Sequence, residues 1–255
     1  MRNRAFIGLY LIMAVLLVLP FVLPNSFYMD LAIRMAINAV IVLSLNLLIG
    51  FAGQISLGHA GFLGIIINIV LCNEAALTGG PDGMPVPAMA LLGYELSGDT
   101  LWYWLVAGLL SLAIWASLNL IDSPFGRALR ALHGAEVASQ VVGVNVVRYK
   151  VSIFLVSAVI ASIMGSITAH YVGFVTPNVA DFFHSLELVT MVVIGGMASV
   201  YGSVVGAVLL TVLPQALTSL EGWETVAFGT ILMLCMIFLP IGLVPTLVAK
   251  FVRGE

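Results

Sequence analysis

The sequence predicts an all-α, polytopic membrane protein of about eight transmembrane helices with glycine-broken segments. Composition is the first reason: of 255 residues, 62% are hydrophobic and 8% charged. A soluble domain carries about 25% charged residues and needs them to cover its surface. The second reason is that apolar runs near the ~20 residues that cross a bilayer recur along the whole chain. The third is the placement of the nine lysines and arginines, which an eight-span layout sorts almost entirely to one side. One membrane domain over 1–255 is expected, with no separate soluble unit.

The first run, 6–23, follows a basic start and looks like a signal peptide. Its apolar core continues to Leu23 without a small-residue cleavage site, so it is expected to remain as span one. The second run, 31–49, carries Arg34 four residues after Asp30. Two readings stand open for that arginine: an i,i+4 ion pair near the outer interface, or contact with a substrate carboxylate. Spans three, four and five are expected at 61–77, 101–121 and 151–175. The sixth run, 186–194, is too short for ~30 Å of hydrocarbon at ~1.5 Å per residue. It must continue through Gly195 and Gly196 as an irregular element, which only protein-covered or cavity-lining backbone tolerates. Spans seven and eight fall at 202–220 and 226–247.

With this layout both termini and the 122–150 loop share a side. Arg2, Arg4, Arg127, Arg130, Arg148, Lys150, Lys250 and Arg253 lie there, and Arg34 is the exception. The positive-inside rule makes that side cytoplasmic. The opposite loops carry Asp30, Asp82, Glu95, Asp99, Asp181, Glu221 and Glu224 without a lysine or arginine.

Several chemistries are excluded or disfavoured. A phosphate-binding loop needs Gly-Lys followed by Ser or Thr, but Lys150 precedes Val151 and Lys250 precedes Phe251. His59, His133, His170 and His184 are dispersed, and Cys72 and Cys235 sit in apolar runs, so no metal site is expected. Glu74 and Glu187 lie near span ends. The span middles hold few of the ionisable groups that a proton-coupled carrier needs. Energy must come from elsewhere, and no cofactor or nucleic-acid partner is expected for this chain.

In the 122–150 loop, Asp122-Ser123-Pro124 ends span four and can begin a new helix, with Ser123 as cap and Pro124 at the first position. Beyond Gly134, Val137, Val141 and Val144 recur at i, i+4 and i+7, with Glu136, Ala138 and Val142 beside them. Such a short amphipathic helix either rests on lipid or docks in a groove of a partner.

LNLLIGFAGQISLGHAGFLG, residues 45–64, opens like a membrane helix and then places Gly50, Gly53, Gly58, Gly61 and Gly64 among Gln54, Ser56 and His59. Glycines at this density interrupt helical hydrogen bonding and admit close backbone approach. The stretch is therefore expected against protein, with its irregular part beside a translocation pathway. Gln54, Ser56 and His59 either satisfy freed backbone groups or contact substrate, His59 being better suited to a hydrogen-bonding strut. Gly195, Gly196 and Gly202 are expected at the other end of the same cavity.

Four stretches resemble one family. GRALRALHGAEVASQVVGVNVVRYK is similar to the cytoplasmic loop of the branched-chain amino acid ABC transporter permeases of the LivM type. LNLLIGFAGQISLGHAGFLGI resembles their signature after the second span. TGGPDGM resembles an outer loop and MVVIGGMASVYGSVVGA a late glycine-rich segment. The resemblance covers nearly the whole chain and implies an ABC importer permease fold. It implies a LivH-type sister permease, two ATP-binding cassette subunits and a periplasmic amino-acid-binding protein, in a bacterial inner membrane. Glu136-x-Ala138-x-x-x-x-Gly143 resembles the coupling motif of ABC importers, with its glycine one place later than the usual pattern. On this resemblance Arg127, Arg130, Glu136, Ala138, Val141 and Gly143 are candidate ATPase-coupling residues. Gln54, Ser56, His59, Gly53, Gly58, Gly195 and Gly196 are candidate pathway residues. FLPIGLVP departs from the family's usual ending in lacking an arginine. Urea or short-amide import is the nearest alternative; a self-sufficient carrier and a purely structural subunit are further ones.

Overall fold

The computed structural model describes residues 2–22, 25–54, 83–91, 94–95, 98–176 and 182–217, with isolated stretches 226, 229–230, 233–234, 237 and 242–246. Eight helices order this part: α1 (Arg2–Val22), α2 (Ser26–Asn46), α3 (Asp99–Asp122), α4 (Pro124–Gly134), α5 (Glu136–Val141), α6 (Val146–Val172), α7 (Phe182–Gly195) and α8 (Val200–Leu217). Among the described residues three segments are long and apolar enough to cross a bilayer: Ser26–Phe51, Asp99–Asp122 and Val146–Val172. They coincide with expected spans two, four and five. The expected third span and most of the eighth lie outside the described residues.

α2 is the axis of the bundle. Ile33, Ala36, Ile37, Ala39, Val40, Val42 and Leu43 are all buried, because α3, α6, α7 and α8 each pack on it. Asn25 caps its start by accepting from the Phe27 N–H. α8 runs antiparallel to it, and two polar links fix the pair. Asn38 Nδ2 donates to Thr211 Oγ1 at 3.0 Å, and Asn46 Nδ2 donates to Ser203 Oγ at 2.6 Å. On the α6 side, Ser157 Oγ donates to the Ser44 carbonyl at 2.9 Å.

α1 shows how the bundle repairs a helix break. Pro20 lies inside it and brings no N–H, so the carbonyl of Leu16, four residues earlier, loses its helical donor. In hydrocarbon an orphaned carbonyl costs several kcal/mol. Tyr103 of α3 points its hydroxyl at that carbonyl, 2.8 Å away, and its ring is almost wholly buried.

Two short strand pairs close one end. β1 (Met84–Pro85) pairs antiparallel with β4 (Phe174–Val175), and β2 (Ala90–Leu91) with β3 (Tyr94–Glu95). The first pair ties the segment before α3 to the end of α6. His170 Nδ1, 3.1 Å from the Pro87 carbonyl, adds to the same junction.

The short sixth run is α7, 14 residues long, about 20 Å of helix. As expected, it stops at Gly195, and the chain turns through Gly196 and Ala198, both with positive φ (118° and 59°). A side chain on Gly195 would overlap the Gly202 carbonyl, so α7 and α8 cross backbone to backbone.

Candidate functional site

The two glycine-broken segments predicted from sequence come together at Asn46. Toward its C-terminal end α2 widens into a π-helical turn over Leu47–Phe51. The chain then leaves the helix at Gly53, whose φ is +65°. The exit is closed by the Gly53 N–H donating to the Ile49 carbonyl at 3.1 Å and the Gln54 N–H to that of Leu48 at 3.2 Å. One turn earlier, the fully buried Asn46 reaches across to the α7–α8 turn. Its Nδ2 donates to the Ser199 carbonyl at 2.9 Å as well as to Ser203, and its Oδ1 accepts from the Ala198 N–H at 3.0 Å. Three of the amide's four hydrogen-bonding positions are thereby filled, and Ala198 is held in a left-handed conformation that alanine rarely adopts. Gly50 sits so close that a Cβ there would overlap both Asn46 Oδ1 and the Ala198 nitrogen. Gly242, in the FLPIGLVP stretch, abuts Gly196 in the same way.

Of the expected pathway residues, Gly195 and Gly196 form this turn, and Gly53 and Gln54 form the exit from α2. Ser56, Gly58 and His59 lie outside the described residues. Asn46, Ser199 and Ser203, which hold the breaks together, carry no local signal: a lone asparagine in an apolar run names no partner 153 residues away.

Gly53 faces the loop helices. A Cβ on it would stand 2.6 Å from His133 Nδ1 of α4, so the end of α2 and the 122–150 loop touch. α4 begins as predicted, with Pro124 in its first turn and Ser123 accepting from the Gly126 N–H at 3.2 Å. Arg127 donates to the Asp122 carbonyl at 3.0 Å and Arg130 to that of Ile121 at 3.1 Å. Both guanidinium groups thus meet the carbonyls at the end of α3, where a helix dipole favours positive charge.

α5 turns its apolar residues outward. Val137 is 75% exposed, and Val141 and Val142 are each 83% exposed, while Ser139 is its one buried residue. The helix closes in a Schellman motif: the Val144 N–H donates to the Ser139 carbonyl at 3.0 Å and the Gly143 N–H to that of Gln140 at 2.9 Å. Gly143 takes φ +92° at the position this motif reserves for glycine. Its late place in the motif therefore marks where α5 stops. Glu136 pairs with Lys150 at 2.6 Å, joining α5 to the start of α6, and Ala138 is exposed beside the valines.

At the opposite end of the bundle lies a cavity of about 600 Å³ between α2, α6, α7 and α8. Arg34, Asn38, Thr211 and His184 are among its polar groups, with Thr168, Tyr171 and Thr176, and Ile37, Ile41, Val172, Phe174 and Val175 are among its apolar ones. Sequence reading singled out Arg34 but not the cavity, since its walls come from elements up to 177 residues apart. The predicted ion pair is present, Arg34 Nε to Asp30 Oδ2 at 2.9 Å. Tyr171 donates to the other Asp30 oxygen at 2.6 Å.

A charged cavity in an apolar bundle, two interlocked helix breaks and an outward-facing loop helix define a multi-pass membrane protein of the permease class. Residues 63–240 match the family described as branched-chain amino acid transport system / permease component, and the chain belongs to that family. It is 32% identical over 206 residues to the high-affinity branched-chain amino acid transport system permease protein LivM of Salmonella typhimurium, covering 71% of this chain and 48% of that protein. It is 28% identical over 190 residues to the LivH permease of the same organism, 69% of this chain and 60% of that one. Similarity extends to the ribose import permease RbsC of Haemophilus influenzae, 31% identical over 150 residues, 56% of this chain and 45% of that protein. The chain spans about half the length of the LivM proteins it matches. No solved structure matches it.

Proposed function

We propose that this chain is a non-catalytic permease subunit of an ABC importer that moves branched-chain and other hydrophobic amino acids across the bacterial inner membrane. Its partners are a LivH-type sister permease, two ATP-binding cassette subunits and a periplasmic amino-acid-binding protein. Both termini and the 122–150 loop face the cytoplasm. The outward display of Val137 and Val141 on α5, and of Val142 at its cap, carries this reading. Exposed apolar side chains on a short, rigidly terminated helix fit a groove on a partner. The contact of Gly53 with His133 gives movement of that loop a route into α2. Amino acids are preferred over sugars because the similarity to LivM covers 71% of the chain and that to the ribose permease 56%.

The test is Val141→Asp in the assembled complex. Charging this face is expected to lose the ATPase subunits on purification, or to leave ATP hydrolysis running without uptake. Normal uptake by the variant removes the docking role, and the face then belongs to lipid.

A further inference from the structure

We propose that the cavity between α2 and α6–α8 is a substrate subsite in which Arg34 holds the carboxylate of an aliphatic amino acid. The proposal rests on the importer reading above and adds where and how the cargo is recognised.

Arg34 lies eight residues inside α2, about 12 Å from its start, in a segment long enough to span the membrane. A guanidinium within such a segment faces a cavity or a partner rather than lipid. Its side chain is 52% exposed and lines the 600 Å³ cavity. That volume falls in the ~300–1,000 Å³ range of small-molecule sites. Among the described residues only Nε is engaged, by Asp30, which leaves the outer edge of the guanidinium to offer parallel donors to a carboxylate. Asp30, gripped by both Arg34 and Tyr171, fixes the guanidinium in place.

Asn38 stands one turn further along the same face, about 5–6 Å away. Its Nδ2 is spent on Thr211, so its Oδ1 is the acceptor left for an α-ammonium group. Ile37, Ile41 and Val175 offer the side chain an apolar wall. Cation, acceptor and apolar wall together match a zwitterion with a hydrocarbon side chain. Urea has no carboxylate to use the arginine, and a sugar has no hydrocarbon group for the wall.

The experiment uses the full complex in proteoliposomes with saturating binding protein, so that the membrane step is read. Tritiated leucine uptake is measured beside ATP hydrolysis. Arg34→Gln is expected to lower uptake at least ~10-fold with hydrolysis retained, Arg34→Lys to lose less, and Asp30→Asn to lose less than Arg34→Gln. Gly165 also lines the cavity, and a Cβ on it meets nothing within 4 Å. Gly165→Leu should therefore assemble normally and lower uptake by occupying the space. Leucine uptake by Arg34→Gln within twofold of wild type, or equal losses in Arg34→Gln and Asp30→Asn, overturns the subsite. Should Arg34→Gln fail to assemble, normal uptake by Gly165→Leu overturns it instead. Absence of leucine uptake by the wild-type complex is a different result, since it rejects the importer reading itself.

Discussion

The Tyr103 hydroxyl donates to the Leu16 carbonyl, the one acceptor that Pro20 leaves without its helical partner. A residue of α3 thus completes the backbone of α1. Tyr103→Phe keeps the ring and its packing and removes only this bond. Leaving a buried carbonyl unpaired costs about 1–3 kcal/mol. A lower midpoint in a detergent thermal-melt assay is expected, and Pro20→Ala should restore it by returning the N–H. An unchanged midpoint in Tyr103→Phe would show that the bond contributes nothing.

Asn46 should be less replaceable than any other polar residue of α2. Asn46→Leu fills the space but leaves the Ala198 N–H without its partner and removes the bonds to the Ser199 carbonyl and the Ser203 hydroxyl, which still bond each other. A loss on the order of 3 kcal/mol is expected, with proteolysis appearing first at the 196–199 turn. Asn46→Asp retains the acceptor for Ala198 and loses the two donors, so its cost should exceed that of Ser203→Ala.

Gly53 and His133 predict a coupled pair. Gly53→Ala strains a backbone at φ +65° and drives a methyl to within 2.6 Å of the imidazole. His133→Ala removes the collision but not the strain. A double-mutant cycle read by thermal stability should therefore show partial rescue. Additive losses would mean that the loop and α2 are not in contact in the assembled protein.

Gly143→Ala should cost about 1–2 kcal/mol, because alanine resists the left-handed conformation that ends α5. The energetic effect is local, so assembly should survive. The altered exit of α5 should show as a lower ratio of leucine imported to ATP hydrolysed.

Sidedness is checked by cysteines at Met84 and Gly134. Met84 is 40% exposed and a side chain at Gly134 meets nothing within 4 Å. In intact cells an impermeant thiol reagent should reach the first and not the second. Labelling of Gly134→Cys alone reverses the orientation.

Much of this arrangement was legible in the sequence, for identifiable reasons. Ser123-Pro124 and Asp30–Arg34 act within one helical turn, and both appear where local rules place them. The stop at Gly195 follows from the shortness of its apolar run. Asn46 was invisible because its three partners are set by how α7 folds back, and no spacing rule reaches across 150 residues. The cavity was invisible for a related reason: empty space has no residue of its own. Arg34 alone hinted at it, since a charge in an apolar span needs somewhere to point.

The two polar links between α2 and α8 have a consequence for how this protein tolerates change in chain length. Asn38 and Asn46 are eight residues apart, and their partners Thr211 and Ser203 are eight residues apart in the reverse direction. The helices are pinned at two points about 12 Å apart, like a ruler fastened at two marks. Inserting one residue anywhere in 39–45 turns one pin by about 100° relative to the other, and no sliding of α8 can satisfy both. A matching insertion in 204–210 would restore the spacing along the axis but not the facing, because it turns the second pin away on α8 as well. Changes of chain length are thus expected to be tolerated in the connections outside the two pins and not between them.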